Sequence, residues 1–259
     1  MLADLEVGIL APAFLAGLLV IATHVPLGQR VLARGIVFID IAVAQVAGLG
    51  VIAAHWFGWE APDWRVQISA TTAALLGAAL LTWTERHWPD VQEALIGVLF
   101  IAAASVAVLL VAHDPHGGEH LKELLVGQIL WVQPADLLVV ALLYAAVLVL
   151  WFAVVAARGD SVIGQAGFYA LFALAVTQSV QLVGLYLVFA TLILPALAVR
   201  RLSAGWQLGA GYLCAVAGYV AGLILSSAFD LPTGPAIVCT LIIAALTTAI
   251  AVSRRTSAS

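Results

Sequence analysis

Apolar residues along this chain come in long uninterrupted windows, near 8–28, 36–55, 67–84, 94–112, 135–157, 164–182, 184–199, 207–228 and 233–252, separated by short polar stretches. Most of these windows approach the roughly 20 residues that a helix needs to cross a hydrocarbon core about 30 Å thick. Within them the polar positions follow no two-residue alternation, so strands are not indicated. The pattern therefore predicts an all-α polytopic membrane protein, a bundle of eight or nine transmembrane helices forming a single transmembrane domain over 1–259. Nine holds if windows six and seven are separate spans, and eight if they form one broken helix with a re-entrant part.

That ambiguous pair, GQAGFYALFALAVTQSVQLVGLYLVFATLILPALAVRR over 164–201, organises the rest. It is too long for one span and carries no charge until Arg200 and Arg201, so it reads as two short helices packed back to back, with the break at Gly184. Pro195 lies near its far end, where neighbours in a bundle must re-satisfy the carbonyl that a proline frees. Such a broken pair is either a transport pathway or a helical hairpin that merely packs.

Composition agrees with the pattern: 64% of residues are hydrophobic and 9% charged, against roughly 25% charged in soluble domains. The first eight residues hold Asp4 and Glu6 without Lys or Arg, so the first window is expected to be a retained span, not a cleaved signal. Placing the N-terminus outside puts Arg30, Arg34, Arg86, Arg158, Arg200, Arg201, Arg254 and Arg255 on one side, leaving Arg65 and Lys122 opposite. By the positive-inside rule the C-terminus is then cytoplasmic. Cys214 and Cys239 lie in apolar windows and read as buried free thiols. The tryptophans of HWFGWEAPDW, Trp56, Trp59 and Trp64, read as an interfacial belt.

Polar chemistry is sparse, so each instance counts. Asp40 and Gln45 stand in the second window, where a carboxylate costs about 2.5–3.5 kcal/mol to insert and commonly faces a pathway or a partner. Asp40 either serves a pathway or pairs near the interface, and Gln45 offers an amide oxygen, a weaker ligand for a transition metal than imidazole. His24 stands near the end of the first window, either as an imidazole ligand or as a packing residue, and Pro26 beyond it should end or kink that helix. The loop HDPHGGEH carries His113, His116, Glu119 and His120, donors suited to a weak metal site on the outer face, or simply a solvated loop. Glu119 to Leu130 reads as an amphipathic surface helix.

The polar segment RGDSVIGQAG, with Arg158, Asp160, Gly164 and Gly167, is short enough to be an ordinary loop and flexible enough to dock a soluble partner. The chain cannot hydrolyse ATP by itself through a P-loop, because its one lysine, Lys122, is followed by Glu123 instead of Ser or Thr. No nucleophile and base pair or HExxH sequence lies in the windows, so an intramembrane enzyme lacks support.

Four segments together resemble the ABC-type zinc/manganese/iron permease family: EALIGVLF at 93–100, LLVGQILWVQPADL at 124–137, VGLYLVFATLILPALAVRRL at 183–202 and GLILSSAFDLPTGPAIV at 222–238. The resemblance implies the membrane subunit of a bacterial importer for a divalent transition metal, Zn or Mn, acting as a homodimer in the lipid of the cytoplasmic (inner) membrane. No cofactor is implied, the metal being cargo. It further implies a separate ATPase docking on the segment around Asp160, a periplasmic or extracellular binding protein that delivers the ion, and no nucleic-acid partner. The turn with Asp230, Pro232 and Gly234 would serve gating, or is simply a tight turn.

At the second window this sequence departs from the family pattern of Phe-x-Gly-Asp, three residues, then His. In FIDIAVAQVAGLG, the Asp position holds Ile41 and the His position holds Gln45, while Asp40 comes one residue early. Asp40 and Gln45 are five apart, about 140° round a helix, so they do not form a one-face pair. A proton-coupled secondary transporter using Asp40 is the alternative expectation, one that needs no ATPase.

Overall fold

The computed structural model describes residues 2–59, 63–112, 118, 122, 125–159 and 161–257. The described residues form helices joined by short turns: α1 (Leu2–Arg34), α2 (Ile39–Trp56), α3 (Trp64–His87), α4 (Gln92–Val111), α5 (Pro134–Leu150), α6 (Val162–Val183), α7 (Leu185–Val199), α8 (Ala204–Phe229) and α9 (Thr233–Ser257). Among them no strand occurs, as expected for a chain whose backbone must satisfy itself within lipid. Among the described residues eight helices are long and apolar enough to cross a membrane, and α7, with 15 residues, is a shorter apolar one. The most apolar windows of α1, α2 and α6 are 56%, 61% and 67% buried, against 17% for α4 and 22% for α5, which identifies the former as enclosed helices and the latter as outward-facing ones.

Two compact units are present. The first comprises Met1–Arg34, Leu125–Tyr144 and Gln181–Ser259, and the second Gly35–Leu124 and Ala145–Val180. In the first, α7 packs against α1, α8 and α9, and α8 packs along α9. Small residues let these helices approach, as is usual where lipid supplies no hydrophobic drive for association. A methyl group added at Gly28 of α1 would run into the Leu192 backbone of α7, and one at Gly222 of α8 would meet the Ile237 backbone of α9.

Pro26 does not end α1, which continues to Arg34. The carbonyl that Pro26 leaves without its helical N–H is that of Ala22, and the Tyr212 hydroxyl of α8 donates to it at 3.0 Å. A neighbour thus replaces the lost bond, and the helix keeps its course.

Gly184 breaks the apolar pair as its position predicted, with φ 84° and ψ 157°, a region essentially confined to glycine. It lies against the backbone of Val126 and Gly127, while Gly234, at the start of α9, faces the Val126 carbonyl. Three connections therefore meet at one end of this unit. At the other end of α7, Arg201 donates to the Ser253 hydroxyl of α9 at 3.2 Å. Hence α7 runs alongside α9 in the same direction, although its 15 residues span only about 22 Å at ~1.5 Å per residue. The expected pair of short helices is in fact one full-length helix, α6 with 22 residues, followed by one short helix.

In the second unit, α2 packs on both α3 and α4. Gly50 meets Ser69 and Ala70 of α3, its carbonyl accepting from the Ser69 hydroxyl at 2.7 Å. Asp63 caps α3 by accepting from the Arg65 N–H at 2.9 Å. Of the two cysteines, Cys214 is buried as expected whereas Cys239 is exposed, because it falls on the outward face of α9.

Candidate functional site

Asp40 occupies the first turn of α2 and is fully buried. Its carboxylate has the N–H groups of Asp40 itself and Ile41 nearby, yet neither oxygen closes a well-formed hydrogen bond among the described residues. The positive end of the helix dipole favours an anion here, but a buried carboxylate so weakly partnered still costs free energy. The turn itself is held from α4, where Glu93 Oε1 accepts from the Phe38 N–H at 3.2 Å. Gln45 is half-buried on the same unbroken α-helix, so the five-residue spacing sets it on a different face from Asp40.

His24 belongs to the other unit and is fully buried. Its Nδ1 lies 3.0 Å from the Val20 carbonyl and 2.9 Å from the Thr23 hydroxyl, which itself donates to Val20 O at 3.1 Å. Nε2 has no hydrogen-bond partner among the described residues. Nor, among those residues, do any three His, Cys, Asp or Glu side chains gather into a metal-holding group. His113, His116, Glu119 and His120 lie outside the described residues, as does Asp160. The surface helix expected over 119–130 does not run through its described part, because Gly127 turns the chain at φ 71° and only a short 3-10 turn, Ile129–Trp131, follows.

The segment expected to dock a partner is ordered by its small residues. Gly159 reverses the chain at φ 55°, ψ −125° after Arg158, which is exposed. The Gly164 N–H donates to Ser161 Oγ at 3.2 Å, and Gly164 packs so closely on the Gly159 carbonyl that no larger residue fits. A methyl at Gly167 would come within 2.9 Å of Val155. Val162 and Ile163 stand exposed, 62% and 58%, and Arg86 of α3 donates to the Val162 carbonyl at 3.2 Å. The described part of the segment is thus a tight turn that presents two exposed apolar side chains. A five-residue π-helical stretch, Trp151–Val155, precedes it.

The turn at 230–234 is well capped. Asp230 takes the left-handed conformation, φ 51° and ψ 44°, and the Leu231 N–H donates to Ser226 O at 3.1 Å. The Ser226 and Thr233 hydroxyls lie 2.7 Å apart. Pro232 is exposed, and Gly234 is buried at the three-way junction.

Two buried polar contacts were not singled out from sequence. Gln92 Nε2 donates to Leu81 O at 3.0 Å and to the Tyr169 hydroxyl at 3.1 Å, while its Oε1 accepts from Thr84 at 2.9 Å, so one side chain ties α3, α4 and α6. Gln67 of α3 bonds Gln178 of α6 at 3.3 Å. The available signal was a glutamine at or within an apolar window, which must find a partner or cost free energy.

The described residues thus form a helical membrane domain with one short helix and buried ionisable groups inside its spans, the class of a polytopic membrane protein. The chain belongs to the ABC 3 transport family, whose model matches residues 6–158 and 161–252. It is 26% identical over 230 residues to the manganese transport system membrane protein MntC of Halalkalibacterium halodurans, covering 82% of this chain and 76% of that one. It is 22% identical over 250 residues to the high-affinity zinc uptake system membrane protein ZnuB of Haemophilus influenzae, covering 89% and 92%. The fold is similar to that of a chain in the structure of PsaBC from Streptococcus pneumoniae in complex with Fab, with a TM-score of 0.74, 21% identity, and 96% and 95% coverage.

Proposed function

We propose that this chain is the membrane permease subunit of an ABC importer for a divalent transition metal, Zn or Mn, working as a homodimer with a separate ATPase subunit. The observation that carries the reading is membership of the ABC 3 transport family over almost the whole chain, joined to relatives named for manganese and zinc transport. The single lysine, Lys122, followed by Glu123, puts ATP hydrolysis on a partner. Arg158, Gly164 and Gly167, with Asp160 in the same stretch of sequence, are the ATPase-coupling residues on the cytoplasmic side, and the arginine distribution supports a cytoplasmic C-terminus. A periplasmic or extracellular binding protein delivers the ion at the opposite face of the bacterial inner membrane.

In this reading Asp40 and Gln45, on different faces of α2, serve the route at separate points, and the ion meets few protein donors at a time. Such sparse ligation suits a permease, because an ion held by a full ligand set would leave slowly. The turn of Asp230, Pro232 and Gly234, which meets Gly127 and Gly184 at one end of its own unit, serves gating.

Two measurements test this. Gentle extraction of the tagged chain from its native host should recover a stoichiometric ATP-binding subunit, and charge reversal at Arg158 and Asp160 should release it. Asp40→Asn should lower uptake of radiolabelled Zn or Mn with little change in the amount of folded protein. Recovery without an ATPase, together with uptake that follows the proton gradient, would replace the importer with a proton-coupled carrier. Unchanged uptake in Asp40→Asn would remove that residue from the route.

A further inference from the structure

His24 combines three features that a packing histidine does not need together. Its ring is fully buried, its Nδ1 is engaged by two groups, and its Nε2 faces no donor or acceptor among the described residues. The Val20 carbonyl can only accept, so the proton sits on Nδ1. The Thr23 hydroxyl gives its own hydrogen to the same carbonyl and turns a lone pair toward Nδ1. Nε2 is thereby left with a bare lone pair and no protein partner among the described residues. Leaving a buried polar atom unmatched costs roughly 1–3 kcal/mol, so the arrangement is disfavoured unless Nε2 receives something.

The ring is also held in place. Two residues beyond it, Pro26 frees the Ala22 carbonyl that Tyr212 binds. Gly28 fixes α1 against the Leu192 backbone, and Gly17 fixes it against the Tyr219 ring. With anchors on both sides, α1 cannot easily roll to hide Nε2. An imidazole whose second nitrogen is pinned by a backbone carbonyl is the arrangement by which proteins orient a histidine toward a metal.

We propose that His24 Nε2 is a ligand for the transported ion, that Thr23 is its positioning residue, and that the ion is a late first-row divalent metal of the Zn type, not Mg or Ca. This rests on the importer reading and narrows its substrate class. Neutral imidazole suits Zn, Ni and Cu, whereas Mg and Ca prefer all-oxygen sites and Mn leans toward carboxylates.

The test uses the chain co-purified with its ATPase subunit, carrying His113→Ala, His116→Ala and His120→Ala so that the outer loop contributes no imidazole. Co(II) is titrated as the probe, read by its visible ligand-field bands, and then displaced with Zn(II), with Mg(II) as competitor. The expected result is a saturable site that Zn displaces and Mg does not. Its affinity should fall about 100-fold in His24→Gln and about 10-fold in Thr23→Val, in line with the 10- to 100-fold effects of losing groups that orient metal ligands. Unchanged affinity in His24→Gln with the ATPase still bound overturns the proposal, as does displacement by Mg. If His24→Gln fails to assemble, Thr23→Val decides, and unchanged affinity there is equally fatal. Failure of the importer reading looks different: the wild-type chain would come without an ATPase while its Co(II) bands still depended on His24.

Discussion

Gly184→Ala tests the junction on which the path of α7 depends. The backbone at this residue, φ 84° and ψ 157°, is a region that a side chain enters at a cost of about 1–3 kcal/mol. The new methyl would also be driven into the backbone of Gly127 and the carbonyl carbon of Val126. Backbone cannot swing aside as a side chain does, and overpacking of this kind adds roughly 1–3 kcal/mol. The midpoint of the sum is about 4 kcal/mol, which corresponds to a fall in Tm of roughly 8–16 °C for a protein of this size. The assay is thermal unfolding of detergent-solubilised protein, with Gly97→Ala as control, since no heavy atom lies within 4 Å of a methyl placed there. That control should melt at or slightly above the wild-type temperature, because alanine is the better helix residue by about 0.5–1 kcal/mol. A Gly184→Ala protein melting within about 2 °C of wild type would refute the contact geometry at this junction.

Gln92→Leu should lower stability by about 1–2 kcal/mol, because it removes the buried bonds that tie α3, α4 and α6 while the Leu81 carbonyl keeps Thr84 as a donor; the same melts measure it. Tyr219→Phe should cost only about 1 kcal/mol, since Thr191, whose hydroxyl lies 2.8 Å from the Tyr219 oxygen, still bonds the Leu187 carbonyl. Arg86→Ala frees the start of α6 by removing the bond to Val162 O, so ATPase activity stimulated by the permease should drop several-fold while complex yield holds, measured by phosphate release in reconstituted vesicles. Placing Trp at Val162 or Ile163 should release the ATPase subunit on size-exclusion chromatography without a shift in Tm.

The spans were legible because lipid leaves a chain few options: apolar windows of the right length must be helices. Gly184 was legible for a related reason, since two windows joined without a polar residue need a break, and glycine alone tolerates the backbone observed. Pro26 misled because its effect depends on a hydroxyl 186 positions later, Tyr212. A proline in isolation predicts a helix end, and only the packing of α8 on α1 cancels it. The two-unit division was illegible for the same cause, since α5 and α6 each contribute to both units and no composition shift marks where they pass from one to the other.

The polar residues divide along a similar line. Asp40 and His24 stand out from sequence because an ionisable group in a span is costly, but residue type alone cannot say which costs are met. Gln92 has its amide matched on both sides, and Thr191 reaches both Leu187 O and Tyr219, so these are structural pins. Asp40 and His24 Nε2 are buried and left poorly matched. A pin that is satisfied would gain nothing from a passing cation, whereas an unmatched carboxylate or imidazole would gain from one. The residues to follow in this permease are therefore those whose cost the fold leaves standing, and the full set of polar side chains inside its spans is too broad a guide.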